Sequence, residues 1–119
     1  MKKTVVLGAS PNPERYSYRA VELLVQYGYE VIPIGKRKGE IAGITIVQNP
    51  SFIIGVHTVT LYLNPINQID FYDYIIKLKP KRVIFNPGTE NSELIDLCRK
   101  NNIEPFFECT LVLLSLQIY

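Results

Sequence analysis

Residues 5–20 read VVLGASPNPERYSYRA and decide how the amino-terminal part of the chain folds. Residues 4–7 form a continuous, mostly β-branched apolar run closed by Gly8, which is typical of a strand buried on both faces of a parallel sheet. Beyond the loop, apolar side chains recur at helical spacing from residue 18 to 25, with Ser17 as the expected N-cap and Gly28 where the helix ends. The segment therefore predicts a strand, a loop and a helix.

The same alternation continues along the chain. Further strands are expected at residues 30–34, 58–63, 82–85 and 103–107, and helices at 66–78, 94–98 and 111–116. The weaker signals between residues 35 and 57 predict a small edge strand at 44–47 and a single helical turn at 50–54.

This pattern predicts an α/β protein with a Rossmann-type open sheet, mainly parallel and five-stranded, with helices on both faces. The right-handed crossover rule favours the strand order 3-2-1-4-5. With 119 residues, of which 47% are hydrophobic, the chain is predicted to form one domain over residues 1–119.

Charge and cysteine content exclude several classes of protein. The net charge is +2 and the thirteen lysines and arginines are dispersed except at residues 36–38, so no nucleic-acid partner is expected. Cys98 and Cys109, with a single histidine in the chain, fit neither a disulfide framework nor a metal site. The first apolar run is too short for a signal peptide or a membrane span. We therefore expect a cytoplasmic protein with no membrane partner and no metal.

Ligands of such folds bind beyond the carboxyl ends of the strands, and the first loop at that edge is unusual. A dinucleotide fingerprint needs three glycines, but only Gly8 is present, and Pro11 and Pro13 lengthen and stiffen the loop. The start of the following helix, with the hydroxyls of Ser10 and Ser17, still suits a phosphate. The alternative is that both serines only cap the turn and the helix.

The turn after the second predicted strand is basic. An NAD site needs a carboxylate there for the ribose hydroxyls, but the chain carries Lys36 and Arg37, and Glu30 lies at the other end of the strand. Cations at this position favour a phosphorylated ribose, as in NADP or coenzyme A (CoA). The alternative is a solvated charged turn. The turns at residues 64–65 and 86–88 lie on the same predicted edge, but each alone is typical of an ordinary turn.

An ordered set of short motifs resembles a known family. The set comprises Gly8-Ala9-Ser10 with Asn12-Pro13, Ser17-Tyr18-Arg19, residues 28–34, Gly43, Asn86-Pro87-Gly88 and Glu108-Cys109. It is similar to small stand-alone CoA-binding proteins and to the N-terminal domain of the succinyl-CoA synthetase alpha subunit.

The resemblance implies that Gly8, Ser10 and Ser17 surround the phosphates and that Lys36 lies at the 3′-phosphoadenosine end. It also implies that residues 64–65 and 86–88 line the rest of the cleft. The complete predicted ligand site consists of Gly8, Ala9, Ser10, Asn12, Ser17, Tyr18, Ile34, Gly35, Lys36, Arg37, Asn64, Pro65, Asn86, Pro87 and Gly88.

The predicted function is binding of CoA or an acyl-CoA by a module without a complete catalytic site. No pair of side chains is expected to move a proton, and the resemblance implies that the phosphohistidine of the related synthetases belongs to a second domain outside residues 1–119. The alternatives are an NADP-binding, reductase-like domain and a protein-interaction module with a vestigial nucleotide pocket. The expected protein partners are a second copy, paired through the apolar run at residues 111–114, or a partner enzyme subunit.

Overall fold

Five parallel strands form the centre of the protein in a computed structural model that describes residues 2–119. The elements follow in the order β1 Thr4–Leu7, α1 Tyr16–Gln26, β2 Val31–Ile34, β3 Glu40–Ile41, β4 Ile44–Thr45, β5 Thr58–Leu61, α2 Pro65–Gln68, a 3₁₀ turn Ile69–Phe71, α3 Tyr72–Leu78, β6 Arg82–Phe85, α4 Ser92–Lys100, β7 Glu104–Phe106 and α5 Thr110–Ser115.

The main sheet has the order β2-β1-β5-β6-β7, and all its neighbouring strands are parallel. This confirms the Rossmann-type open α/β sheet, but the predicted position of the third strand is corrected. The strand expected at residues 58–63 lies beside β1 instead of beyond β2. The outer position is taken by Val47, which forms one parallel bridge with Ile34, so counting that segment as the third strand gives the order 3-2-1-4-5-6.

The composition of the strands explains this order. All four residues of β5 are buried, so β5 needs a neighbour on each side and a helix layer on each face. Pro33 in β2 has no backbone N–H for a ladder, which suits a strand whose outer side forms only a single bridge, to Val47.

Helices cover both faces of the sheet, as predicted. On one face, Val5 and Leu7 belong to a core with Ile75, Leu94 and Cys98 from α3 and α4. On the other face, the core is formed by Val6, Val21, Leu24, Ile84, Leu113 and Leu114, so α1 and α5 pack there. Two of the four residues in the run 111–114, Leu113 and Leu114, are thus buried within the protein. The exposed apolar side chains near α5 are Val112, Leu116 and Ile118.

The region between β2 and β5 differs from the predictions. Residues 44–45 form a two-stranded antiparallel hairpin with β3, which is shorter than the expected strand at 44–47. The helical turn expected at residues 50–54 is absent, and this stretch is an irregular loop. Here Ile53 packs on the core while Phe52 and Ile54 face outward, which is the alternation of an extended chain and not of a helix.

Candidate functional site

A cleft of about 380 Å³ lies at the carboxyl end of β1, between the loop after β1 and the basic turn after β2. Its lining includes seven residues of the predicted site, namely Gly8, Ala9, Ser10, Asn12, Ser17, Lys36 and Arg37. It also includes Arg15, Tyr16, Tyr62 and Leu63, which were not among the predicted residues. The structure therefore brings the first loop and the basic turn together in one concave site.

Two glycines allow the close approach of these segments. Gly8 has a φ of +99°, and a Cβ there would lie 2.8 Å from the carbonyl carbon of Tyr62. A Cβ on Gly35 would lie 2.0 Å from the carbonyl oxygen of Ala9. The backbone N–H groups of Gly8 and Ala9 both donate to the carbonyl oxygen of Ile34, at 2.9 and 2.8 Å. The loop after β1 is thus fastened directly to the end of β2.

The start of α1 differs from the prediction. Arg15 is the N-cap, with an extended backbone and no side-chain cap, and Ser17 lies in the first turn, where it is buried. The Ser17 hydroxyl accepts a hydrogen bond from the backbone N–H of Ser10 at 3.2 Å, so it holds the loop and does not cap the helix. The Ser10 hydroxyl accepts from the N–H of Asn12 at 3.1 Å, which stabilises the turn.

The first amides of α1 remain available. Within residues 2–119, no protein group accepts a hydrogen bond from the backbone N–H of Tyr16 or Ser17. Both residues line the cleft. Free N–H groups at the start of a helix carry a partial positive charge and bind anions.

The charges around the cleft have one sign. Lys36, Arg37 and Arg15 are exposed at its rim, and no Asp or Glu is part of its lining. Across the described part of the chain, the one ion pair joins Lys3 to Glu30, away from the cleft. The amide of Gln48 donates to the carbonyl oxygen of Lys36 at 2.9 Å and so fixes the basic turn. The cleft therefore favours a ligand with several negative charges.

A second, smaller cleft of about 110 Å³ adjoins the first. The two share Gly8, Lys36 and Leu63, and the predicted residues Ile34 and Gly35 line the smaller one. Its remaining lining consists of Gln48, Asn67, Asp70 and Phe71. It combines apolar walls with amide and carboxylate groups, as small-molecule sites commonly do.

The other predicted residues lie outside both clefts. Tyr18 packs half-buried against the core on the α1 face. Asn64 caps α2 by accepting from the N–H of Asn67 at 2.9 Å, and Pro65 is the first residue of that helix. Pro87 and Gly88 are exposed beyond β6.

Asn86 also lies outside the clefts, because its side chain is hydrogen-bonded to other residues of the protein. Its amide nitrogen donates to the Thr60 hydroxyl at 2.6 Å and to the carbonyl oxygen of Leu61 at 2.8 Å. Its amide oxygen accepts from the backbone N–H of Thr110 at 2.8 Å. The side chain of Asn86 therefore joins β5, β6 and the start of α5.

His57, Cys98 and Tyr62 lie in different parts of the fold. No cluster of potential metal ligands occurs in residues 2–119. His57 lies at the opposite, amino end of β5, where burial and then the charges of Arg82, Lys2 and Lys81 lower its pKa. Burial raises the pKa of the Cys98 thiol to about 11 and raises that of Tyr62, whose buried hydroxyl has no hydrogen-bond partner.

No helix in residues 2–119 is both long enough and apolar enough to cross a bilayer.

Solved structures with the same fold were found for the whole length of the chain. An uncharacterized protein is 55% identical, with a TM-score of 0.97 and coverage of 100% of this chain and 98% of that chain. A hypothetical protein from Pyrococcus horikoshii OT3 is 24% identical, with a TM-score of 0.84 and coverage of 98% and 83% respectively. No curated protein matches the chain.

A larger enzyme contains a similar domain. The dinucleotide-forming acetyl-coenzyme A synthetase 1 of Ca. Korarchaeum cryptofilum, in complex with phosphate and ADP, is 16% identical with a TM-score of 0.69. The match covers 89% of this chain and 25% of the synthetase chain, and at this identity it shows the fold alone. The family described as CoA binding domain matches residues 2–115. The predicted family is thereby confirmed, and the chain belongs to the CoA-binding domain family.

Proposed function

We propose that the protein binds CoA or an acyl-CoA across the two adjoining clefts at the carboxyl edge of the sheet. The observation that carries this proposal is the position of Lys36, which lies between the anion-favouring cleft and the smaller, partly apolar one. This arrangement suits CoA, because the ribose that carries its 3′-phosphate joins the adenine to the pyrophosphate and the pantetheine arm.

The pyrophosphate is assigned to the larger cleft. The free N–H groups of Tyr16 and Ser17 are the donors, and Arg15 supplies a cation beside them. The 3′-phosphate is assigned to Lys36 and Arg37, which are exposed and unpaired in the described residues. Because both cations are fixed to one turn, they favour a phosphate on the ribose over a free hydroxyl.

The adenine is assigned to the smaller cleft. Ile34 and Leu63 supply apolar walls, and Gln48, Asn67 and Asp70 offer hydrogen-bonding groups for the edges of the base. The pantetheine arm then follows Tyr62 toward the carboxyl ends of β5 and β6, where Asn64, Pro87 and Gly88 are exposed. In this arrangement the residues implied by the family resemblance border the far end of the ligand.

The protein acts in this proposal as a binding module. Neither cleft contains histidine or cysteine, and of the two tyrosines that line the larger cleft, Tyr62 has its hydroxyl buried away from solvent and Tyr16 is 72% exposed. The clefts thus lack histidine, the side chain that most often transfers protons in enzymes. A partner enzyme subunit is the proposed source of any chemistry performed on the bound thioester.

Thermal unfolding with CoA, acetyl-CoA, dephospho-CoA, NADP and NAD tests the proposal. A ligand at about a hundred times its Kd stabilises the fold by about 2.7 kcal/mol, which raises the Tm by on the order of 10 °C. We expect a rise with CoA and acetyl-CoA and a smaller one with dephospho-CoA.

The variant Lys36→Ala should remove the difference between CoA and dephospho-CoA. Lys38→Ala is the matched control, because Lys38 is exposed in the same turn but lines neither cleft, and it should keep the difference. Stabilisation by NADP alone, or by none of the five compounds, would overturn the proposal.

A further inference from the structure

A groove of about 480 Å³ lies at the amino edge of the sheet, opposite the two clefts. We call it the amino-edge groove; its lining consists of Phe52, Ile54, Gly55, Val56, Lys77, Leu78 and Lys79. Its floor is apolar, because Val56 and Leu78 are each only 4% exposed. Its outer wall is also apolar, because Phe52 and Ile54 are 65% and 79% exposed.

The loop that carries the outer wall is held in place by three contacts. The Tyr74 hydroxyl donates to the carbonyl oxygen of Ser51 at 2.8 Å, and the Lys3 ammonium donates to that of Ile54 at 2.9 Å. Between these points, Ile53 packs against the core. Phe52 and Ile54 are therefore presented to solvent on an anchored loop, so binding there would cost little ordering entropy.

The rim of the groove is cationic. Lys77 and Lys79 are exposed, no Asp or Glu lines the groove, and neither lysine forms an ion pair within the described residues. Lys81, two residues after Lys79 in the chain, is also exposed. An apolar floor between unpaired lysines is complementary to an occupant that carries both apolar and acidic side chains.

We propose that the amino-edge groove is a docking site for an acidic, apolar peptide segment of a partner protein. A peptide matches the concave shape, because its apolar side chains reach the floor at Val56 and Leu78 while its carboxylates meet Lys77 and Lys79. A bilayer surface is flat and would cover Phe52 and Ile54 but leave the floor empty. A second copy docked through the same face would bring two sets of these lysines into one interface whose lining has no carboxylate to pair with them.

Selection from a displayed library of random short peptides tests this proposal. We expect the enriched peptides to combine Asp or Glu with large apolar residues. Two double variants should weaken their binding by about tenfold or more, namely Phe52→Ser with Ile54→Ser and Lys77→Glu with Lys79→Glu. All four side chains are exposed, so both proteins should fold, which thermal unfolding checks.

The control for the charge reversal is Arg19→Glu with Lys38→Glu, which changes the net charge equally at exposed positions outside the groove. This control should keep peptide binding. The proposal fails if no peptide is enriched, if the enriched peptides lack acidic residues, or if both groove variants bind them as well as the parent does. Sedimentation with phosphatidylserine-containing vesicles, but not with phosphatidylcholine vesicles, that is lost in the groove variants would assign the surface to lipid instead.

Discussion

The backbone N–H of Ser10 donates a hydrogen bond to the hydroxyl oxygen of Ser17, 3.2 Å away, and this bond joins the loop after β1 to the first turn of α1. The free N–H of Ser17 itself belongs to the proposed phosphate site. The side chain and the backbone of Ser17 therefore have different roles. The hydroxyl holds the loop in place, and the backbone N–H is the proposed donor to the ligand.

Removing the Ser17 hydroxyl should affect both stability and binding. Ser17→Ala leaves the Ser10 N–H without its acceptor, which costs on the order of 1 kcal/mol in this half-buried setting. We expect a lower free energy of unfolding in urea and weaker CoA binding in calorimetry. Ser115→Ala is the control. The Ser115 hydroxyl donates a hydrogen bond to the exposed carbonyl oxygen of Leu111, and Ser115 lies outside the clefts. Unchanged CoA affinity in Ser17→Ala would contradict the role assigned to the loop.

The contact between Gly35 and Ala9 gives a second prediction. In Gly35→Ala the new Cβ would lie 2.0 Å from the Ala9 carbonyl oxygen, so the loop and the basic turn must separate. We expect a loss of CoA binding together with a lower Tm.

Gly43→Ala separates this steric effect from ordinary backbone strain. Gly43 has a φ of +80° but open space around its missing side chain, so alanine there should cost about 1–2 kcal/mol and leave CoA binding intact. Equal CoA affinities in the two variants would refute the steric explanation for Gly35.

The sequence predicted best those features that depend on neighbouring residues. The bounds of β1 and β6 agree with the expected strands at 4–7 and 82–85, because each is a short run buried on both faces. The cationic turn at Lys36 was predicted from its place after a strand, and it does line the cleft.

Contacts between residues that are distant in the chain could not be predicted from the sequence. Asn86 was expected in the cleft, but its amide finds Thr60 and Thr110, which lie far from it in the chain. The smaller cleft is lined by residues from the ends of β2 and β5 and from the helical turns near residue 70. No local sequence pattern indicates that these separate segments lie side by side. Ser17 was expected to cap α1, but the helix begins earlier because the loop turns at Asn12, whose carbonyl accepts from Arg15.

The hydrogen bonds of Asn86 give the third prediction, which concerns stability. Asn86→Leu removes partners from the N–H of Thr110 and the carbonyl of Leu61, both in a buried region. We expect a loss of about 3 kcal/mol in the free energy of unfolding. Asn64→Ala serves for comparison, since losing that exposed N-cap should cost about 1 kcal/mol. Equal losses of unfolding free energy for Asn86→Leu and Asn64→Ala in urea denaturation would show that the buried hydrogen bonds of Asn86 do not add to stability.

The fourth prediction concerns pH and rests on His57, the only histidine in the chain. Its pKa is lowered in the folded protein, first by burial and then by the charges of Arg82, Lys2 and Lys81. Between the unfolded value near 6.5 and the lower folded value, the unfolded chain binds more protons, so stability falls as the pH decreases through this window.

The measurement is the Tm as a function of pH, compared between the parent protein and His57→Gln. Above the unfolded pKa the stabilising effect of the neutral imidazole is fully present, and the parent should lose Tm on acidification before the carboxylates begin to titrate. His57→Gln should have a flatter profile in the same window, because glutamine has no proton to gain. Parallel profiles would mean that His57 titrates alike in the folded and unfolded states, and that the cations around it are too well solvated to act on the ring.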